Sequence, residues 1–420
     1  MAKIYHPEIF GLREKKYSWL EKHNISNTKW KDIKPQSEFY LFIPQDVKLL
    51  KQYQSYKRIT EIFPVNSVGV VTSRDDFVID FEKNHLERRI RMFIDENVDD
   101  SLLRKTYKIK DKKNWNLKEQ REKLRKDENW KAYFQQILYR PFDVRNIYYN
   151  DILIERSRKE VMMNILSNNI AIITSRMTKG ESFKHAQVTD KITEVICMSP
   201  KTSINGFVFP LYLFTKKEKS IGEYSQLMIF EPELRYKTKQ PNISEDVFNK
   251  LKLFFKKEPK PEEIFYYIYV VLCINTYRTK YAEFLKIDFP RIPFTKDYKL
   301  CIKLGKLGKQ LADLHLLKSK ELEKPIVKFP ATGDNKVTIR PKWDSEKVYI
   351  NANQHFTKVK EEVWNYQIGG YQVCEKWLKD RRKKTPSLDE ITTYCQIVTA
   401  LSRTIEIQKR IDENYKGAEK

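Results

Sequence analysis

Cysteine clusters, paired prolines and glycine-rich loops are what this sequence lacks, and each absence removes a chemistry. The five cysteines stand at 197, 273, 301, 374 and 395, never closer than 21 residues. No Cys-x-x-Cys knuckle exists, which excludes a cysteine zinc site. An odd number of thiols in a long chain implies reduced cysteines and a cytoplasmic location. The six histidines, at 6, 23, 85, 185, 315 and 355, never pair at i, i+4 with a second histidine or a cysteine, so no metal site is expected. His315 is expected to be packed or capping, and His185 to lie in a polar loop where it could touch phosphate. No Pro-Pro pair occurs, so the Asn/Asp-Pro-Pro-Tyr/Phe turn of an amino-group methyltransferase is missing. Neither G-x-G-x-x-G nor G-x-x-x-x-G-K-S/T is present, which argues against a nucleotide or S-adenosylmethionine loop. The densest acid pairs of interest are Asp75-Asp76 and Glu262-Glu263. The first sits in a turn and the second in the first turn of a helix, where structural reasons suffice, so no catalytic residue is assigned. The longest apolar run, Ile264–Ile274, has eleven residues. That is too short to cross a bilayer and reads as a buried helix. The polar, charged start gives no sign of a secretion signal.

What is present in surplus is positive charge. Over 420 residues, 80 Lys and Arg outnumber 56 Asp and Glu, a net +24, and the pI is about 9.5. Hydrophobic residues make up 40% and charged residues 32%, a globular balance with enough chain for one large core or two to three smaller ones. An excess of this size suits a polyanion, because each Lys or Arg facing a phosphate releases counterions. A Lys-rich genome that makes many surfaces basic is the alternative source.

The patterning implies a mixed α/β (α+β) fold. A short helix near 13–22 and an extended stretch near 38–43 occupy the region 1–60. Residues 61–215 form a strand-rich region. In it, 66–81 reads as strand, turn, strand, and further strands are expected at Ile147-Tyr-Tyr, Ile170-Ala-Ile-Ile-Thr, Val195-Ile-Cys and Phe207–Phe214. Between them, 82–138 is charged and helix-like. Residues 216–260 are Lys-rich and loosely patterned, a linker or insertion. Residues 261–420 form a helical region. A helix starts at Pro261, with proline at its first position, and runs to about Lys286. A second carries Leu304, Leu307, Leu311 and Leu314 on one stripe, as a spacer or as ordinary core. A small β unit, 325–360, has strands at Val337–Arg340 and Val348–Ile350. The last helix opens at Ser387 with Glu390 three residues on, a capping box.

Basic residues concentrate in several places. Tyr139-Arg-Pro-Phe-Asp-Val-Arg145 places Arg140 and Arg145 on either side of Asp143. They are arginine forks for phosphate or guanine, or a network bracing a turn. Arg156 and Arg158 have only Glu155 and Glu160 as nearby acids and lean toward DNA. Thr-Ser-Arg recurs at 72–74 and 174–176 after apolar strands, which puts Arg74 and Arg176 at strand ends. The loop 176–184 combines Arg176, Lys179, Gly180 and Lys184, a composition suited to groove reading. Residues 104–126 hold eleven basic residues and three acidic ones around Trp115, a phosphate-facing surface or a solvated helical face. Lys376–Lys384 has six basic residues and one acid, a backbone-contact patch or a solvated helix end.

A set of segments in order carries a family resemblance: Lys3-Ile-Tyr and Gly11-Leu-Arg-Glu-Lys-Lys-Tyr; Ser67-Val-Gly-Val-Val-Thr-Ser-Arg-Asp; Tyr139-Arg-Pro-Phe-Asp-Val-Arg with Tyr148-Tyr149; Phe209-Pro-Leu-Tyr-Leu; Glu263-Ile-Phe-Tyr-Tyr-Ile-Tyr with Phe289-Pro-Arg-Ile-Pro-Phe; Leu314-His-Leu-Leu; and Trp364-Asn-Tyr-Gln-Ile-Gly-Gly-Tyr-Gln-Val with Trp377-Leu-Lys-Asp-Arg. Together they resemble the C-terminal specificity (target-recognition) domain of type ISP restriction-modification enzymes. In that family a nuclease, a translocase and an adenine methyltransferase precede this region, which chooses the DNA sequence to be methylated or cut. The resemblance implies double-stranded DNA as partner, together with a methyltransferase/translocase-nuclease polypeptide. S-adenosylmethionine, ATP and Mg would belong to those other parts, so no cofactor and no activity of its own is expected of this chain. Residues 1–60 become the connector that would follow a methyltransferase. Two arrangements are expected: a separate specificity subunit acting in trans, or an inert or protein-docking remnant of a split enzyme.

Overall fold

The computed structural model of the chain describes residues 3–35, 40, 42, 44, 46–216 and 236–415. Part of the Lys-rich segment 216–260, and most of the extended stretch expected near 38–43, lie outside the described residues. The chain divides into a unit ending at Tyr56 and a unit beginning at Lys57. In the first, Ile4–His6 pairs antiparallel with Lys31–Ile33, and a helix spans Arg13–Lys22. Trp19 stacks on His23 one turn later, with ring centroids 3.9 Å apart.

The second unit carries several small sheets interleaved with helices, a mixed α/β fold. Two four-stranded sheets dominate. Their strands are β1 (Ser67–Val68), β2 (Ile79–Asp80), β3 (Phe134–Arg140), β4 (Asp143–Tyr148), β5 (Ala171–Ser175), β6 (Ala186–Thr189), β7 (Ile192–Thr193) and β8 (Gly206–Pro210). One sheet has the order β7-β3-β4-β2 and the other β1-β8-β5-β6. Only β7 and β3 run parallel; the other neighbours are antiparallel. β5, β6 and β7 are buried at every position, and their short apolar runs suit strands covered on both faces.

The segment after β1 stitches the sheets together. The Val70 amide donates to the Thr193 carbonyl at 2.7 Å, and the Val195 amide to the Val70 carbonyl at 3.0 Å. The Gly69 amide donates to the Gly206 carbonyl at 3.0 Å. A Cβ on Gly69 would stand 2.6 Å from the Glu194 carbonyl carbon. The glycine in Ser67-Val-Gly-Val-Val is therefore a close-approach residue. The strands that lead toward the two Thr-Ser-Arg triplets, β1 and β5, share one sheet and run parallel on either side of β8: Phe207 faces Val68 on one side and Thr174 on the other.

Three expected strands take other forms. Asp75–Val78 is a turn of helix, leaving only Ile79–Asp80 extended. A local bond from the Thr72 hydroxyl to the Asp75 carboxylate starts the turn, and the long-range bond of Arg74 to the Leu153 carbonyl anchors it. Val195–Met198 is a turn, because the Glu194 carboxylate accepts the Ile196 amide at 2.8 Å. Val337–Arg340 is irregular, since the Val337 amide is taken by the Lys384 carbonyl. The small β unit is instead Lys342–Asp344, Lys347–Tyr349 and His355–Phe356.

The helical region is built on α1 (Pro261–Cys273), α2 (Tyr298–His315) and α3 (Leu388–Tyr415). The helix expected to reach Lys286 stops at Cys273 and resumes at Asn275–Lys280 and Ala282–Leu285. Tertiary partners permit the break: Gln408 donates to the Cys273 carbonyl, and Asp412 accepts the Thr276 amide. Leu304, Leu307, Leu311 and Leu314 are all buried, so the stripe is core packing. Gly308 lets α2 press on α1: a Cβ there would meet the Tyr266 carbonyl oxygen at 2.1 Å. His315 is buried and packed as expected, with Nδ1 against the Tyr269 hydroxyl and Nε2 3.0 Å from the Thr404 hydroxyl. Burial pushes its pKa down to about 3. The Ser387 capping box forms in both directions.

Candidate nucleic-acid interface

The arginines singled out in the sequence separate into two groups. Arg74, Arg140 and Arg145 are engaged inside the molecule. Arg74 lies 3.6 Å above the Trp115 ring, and its Nη1 donates to the Leu153 carbonyl at 3.1 Å. Arg140, at the end of β3, donates to Glu194 at 2.6 Å with both side chains buried. Arg145 grips Asp143 through Nε at 2.8 Å and Nη2 at 2.6 Å, and reaches Asp380 at 2.9 Å. Its guanidinium also lies over Tyr139 and Phe81. Arg381, from the basic run 376–384, joins the same cluster. It donates to Asp143 and Glu390 and stacks 3.4 Å over Trp377. This network ties the first sheet to the C-terminal helices, and a buried charge so paired escapes most of its desolvation cost.

In the second group Arg156, Arg176 and Lys179 are exposed, while Arg158 and Lys184 are partly buried. The Arg156 backbone pairs with Val71 through two hydrogen bonds of 3.0 Å, while its exposed side chain has no partner among the described residues. Arg158 adopts φ +55° and precedes the helix Lys159–Leu166. Its Nε is buried without a hydrogen-bond partner. Arg176 follows β5 directly and is half exposed; its nearest acid, Asp288, is 3.4 Å away. Lys179 is exposed, and its carbonyl accepts from Lys201 at 3.0 Å. Lys184 is half-buried and donates to Gln367 at 3.1 Å. Burial, with Arg278 nearby, lowers its ammonium pKa.

The loop 176–184 is clamped from behind. The Glu181 carboxylate accepts from the Ser199 hydroxyl, stands 3.1 Å from His185 Nε2 and 3.7 Å from the Lys201 ammonium. Burial pushes that carboxyl up, but the bonds from His185 and Ser199 outweigh it and the pKa is lowered. His185 is thus fully buried behind the loop and not in position to meet a phosphate, correcting that expectation. Its pKa is lowered by burial despite Glu181. The hairpin Gln367–Gln372 supplies the other jaw. Gly369 donates to the Lys184 carbonyl at 2.7 Å, Gly370 to the Met198 carbonyl at 2.9 Å, and the Tyr371 hydroxyl to the Ile196 carbonyl. A Cβ on Gly369 would stand 1.7 Å from the Met198 oxygen, so Gly-Gly is required where the two chains touch. Glu181 and this hairpin were not singled out as supports; the Gly369-Gly370 pair was the only signal.

The basic run 104–126 also divides. Arg121 and Arg125 turn inward and donate to the carbonyls of Phe93, Ile94 and Asp95. Lys108, Lys110, Lys112 and Lys113 stay exposed on a loop pinned by buried Ile109 and Trp115. That loop abuts the Arg156 segment: Trp115 Nε1 donates to the Ile152 carbonyl at 2.7 Å, and Lys112 pairs with Glu155 at 2.5 Å. Among the described residues, no group of three or more His, Cys, Asp or Glu could hold a metal ion, and no helix is long and apolar enough to cross a membrane.

Comparison with known proteins finds similar solved structures, among them the following three. A nuclease-deletion mutant of the Type ISP restriction-modification enzyme LlaGI, in complex with a DNA substrate mimic, aligns with a TM-score of 0.68 at 20% identity, covering 97% of this chain and 33% of its own. The ATP-dependent Type ISP enzyme LlaBIII, bound to DNA, aligns with a TM-score of 0.68 at 20% identity over 91% of this chain and 25% of its own. DrdV in its DNA complex aligns with a TM-score of 0.68 at 19% identity over 98% of this chain and 43% of its own. The likeness establishes the fold, and this chain spans between a quarter and under a half of each relative. No curated protein matches by sequence. The Type ISP C-terminal specificity domain family matches residues 61–410, and the chain belongs to that family.

Proposed function

We propose that this chain reads the sequence of double-stranded DNA as the specificity module of a type ISP-like restriction-modification system, in the cytosol. It directs methylation or cleavage carried out by an adenine methyltransferase/translocase-nuclease polypeptide. The observation that carries the reading is the match to the specificity-domain family over residues 61–410. The surface supports it. Arg156, Arg158, Arg176, Lys179 and Lys184 stand on loops of the strand-rich region, and Glu181 and the Gly369 hairpin hold the 176–184 loop from behind. Cations on a rigid scaffold lose little entropy on meeting phosphate or a base edge. Arg140 and Arg145 brace this surface. The N-terminal unit exposes Phe10, Leu12 and Ile25, an apolar set suited to contact with the partner polypeptide.

Duplex selection from a random library tests the proposal, at two defined salt concentrations, with the full chain. Recovery of a sequence motif with salt-sensitive binding supports it; binding without any sequence preference refutes it. A comparison of adenine-methylation patterns in the host genome with and without the gene separates a working subunit from an inert remnant.

A further inference from the structure

A cavity of about 310 Å³ opens beside Arg74, lined by Ser73, Arg74, Tyr107, Lys108, Lys110 and Lys112, with Asp75 and Asp76 on its other wall. Arg74 keeps only 9% of its exposure, and its Nη2 is buried with no hydrogen-bond partner among the described residues. Burial lowers its pKa; Glu155 offsets this only in part. Glu155 itself is occupied by Lys112. A buried guanidinium with an unmet donor costs free energy until an acceptor arrives, and Arg74 is one that also lines a cavity. Lys108 and Lys110 flank it, both exposed and both without an ion-pair partner among the described residues. Ile109 between them is buried, while both lysines are exposed and line the cavity. Of the two acids, Asp75 is occupied: it accepts from the Thr72 and Tyr139 hydroxyls. Asp76 is exposed and lines the same cavity, so its charge favours an anion placed beside the lysines.

We propose that this cavity seats a backbone phosphate of duplex DNA, with Lys108 and Lys110 as the surface contacts and Arg74 as the charge behind them. The inference rests on the DNA-binding reading and extends its footprint from Arg156 onto the lysine loop at 108–113. That loop is locked to the Arg156 segment by the Trp115–Ile152 hydrogen bond and the Lys112–Glu155 pair. Phosphodiester and free phosphate share the required chemistry, so the test has two arms.

The full chain and its Lys108→Ala/Lys110→Ala variant are titrated with a duplex across a salt series. Both positions are exposed, so the fold is retained. Losing the contacts to this one phosphate is expected to lower the log–log salt slope by about 1 while leaving sequence preference unchanged. An unchanged slope in a variant of a DNA-binding chain overturns the site and leaves the DNA-binding reading standing. In the second arm inorganic phosphate is added and the melting temperature followed. If the parent chain binds no duplex at all, the DNA-binding reading falls. The cavity is then judged by this arm: phosphate stabilisation lost in the variant upholds an anion site, and no variant-sensitive stabilisation overturns it.

Discussion

Arg140 Nη1 lies 2.6 Å from Glu194 Oε2, with both side chains almost wholly buried. The pair joins the end of β3 to the residue that follows β7, where Val70 crosses from one sheet to the other. Burial pushes the Glu194 carboxyl up from 4.5 to about 7, against the pull of Arg140, with Asp75 pushing the same way. The folded chain therefore holds this proton more tightly than the unfolded chain between about pH 4.5 and 7. Acidifying through that window stabilises the fold by up to about 3 kcal/mol through this group. Glu194→Gln is expected to remove that pH dependence. At pH 8 the variant is expected to be the more stable protein, by up to about 3 kcal/mol, because the parent must there hold a buried charge that Gln lacks. At pH 5, where the parent carboxyl is already neutral, the difference should nearly vanish. Urea melts of both proteins at the two pH values check this; an equal difference at both would refute it.

Gly69→Ala places a methyl 2.6 Å from the Glu194 carbonyl carbon and 2.7 Å from the Thr193 oxygen. Both neighbours are backbone and cannot rotate away. The expected loss is about 2–3 kcal/mol, with the two sheets uncoupled around Val70. Denaturant unfolding followed by circular dichroism measures it.

Gly369→Ala tests the clamp on the 176–184 loop. The added carbon meets the Met198 carbonyl oxygen, and φ is +57°, so a loss of roughly 2–3 kcal/mol is expected. Duplex affinity should fall as well, although Gly369 itself is not proposed to touch DNA. Hydrogen exchange at residues 176–184 should rise in the variant. Unchanged exchange there would show that the hairpin does not hold the loop.

Arg156→Ala, Arg176→Ala and Lys179→Ala probe the surface directly. Each phosphate contact removed should reduce the salt slope by about 0.9. A residue that reads a base instead should cost about 1–3 kcal/mol at one position of the site and relax specificity there. Fluorescence anisotropy on a cognate and a scrambled duplex distinguishes the two. Melting temperatures should stay near that of the parent chain, because these side chains carry little of the packing.

Much of the helical half was legible because its signals are local. Ser387 and Glu390 cap α3 within four residues, and the Leu304–Leu314 stripe repeats at helical spacing. The short strands were less so. Phe77, Ile79 and Phe81 alternate like a strand, yet the Thr72–Asp75 bond turns Asp75–Val78 into a helical turn. Val195-Ile-Cys is apolar enough for a strand, but the Glu194 carboxylate captures the Ile196 amide.

The sequence by itself determined the family, the surplus of positive charge and the absence of methyltransferase and nucleotide-loop motifs, because these depend on residue identity and short spacings. Which arginines face outward was decided only by the tertiary structure. Arg145 finds Asp380 from 235 positions away, and Arg140 finds Glu194 across 54. Which acid an arginine meets depends on residues far away along the chain, and no local pattern reveals which acid the fold will bring to it.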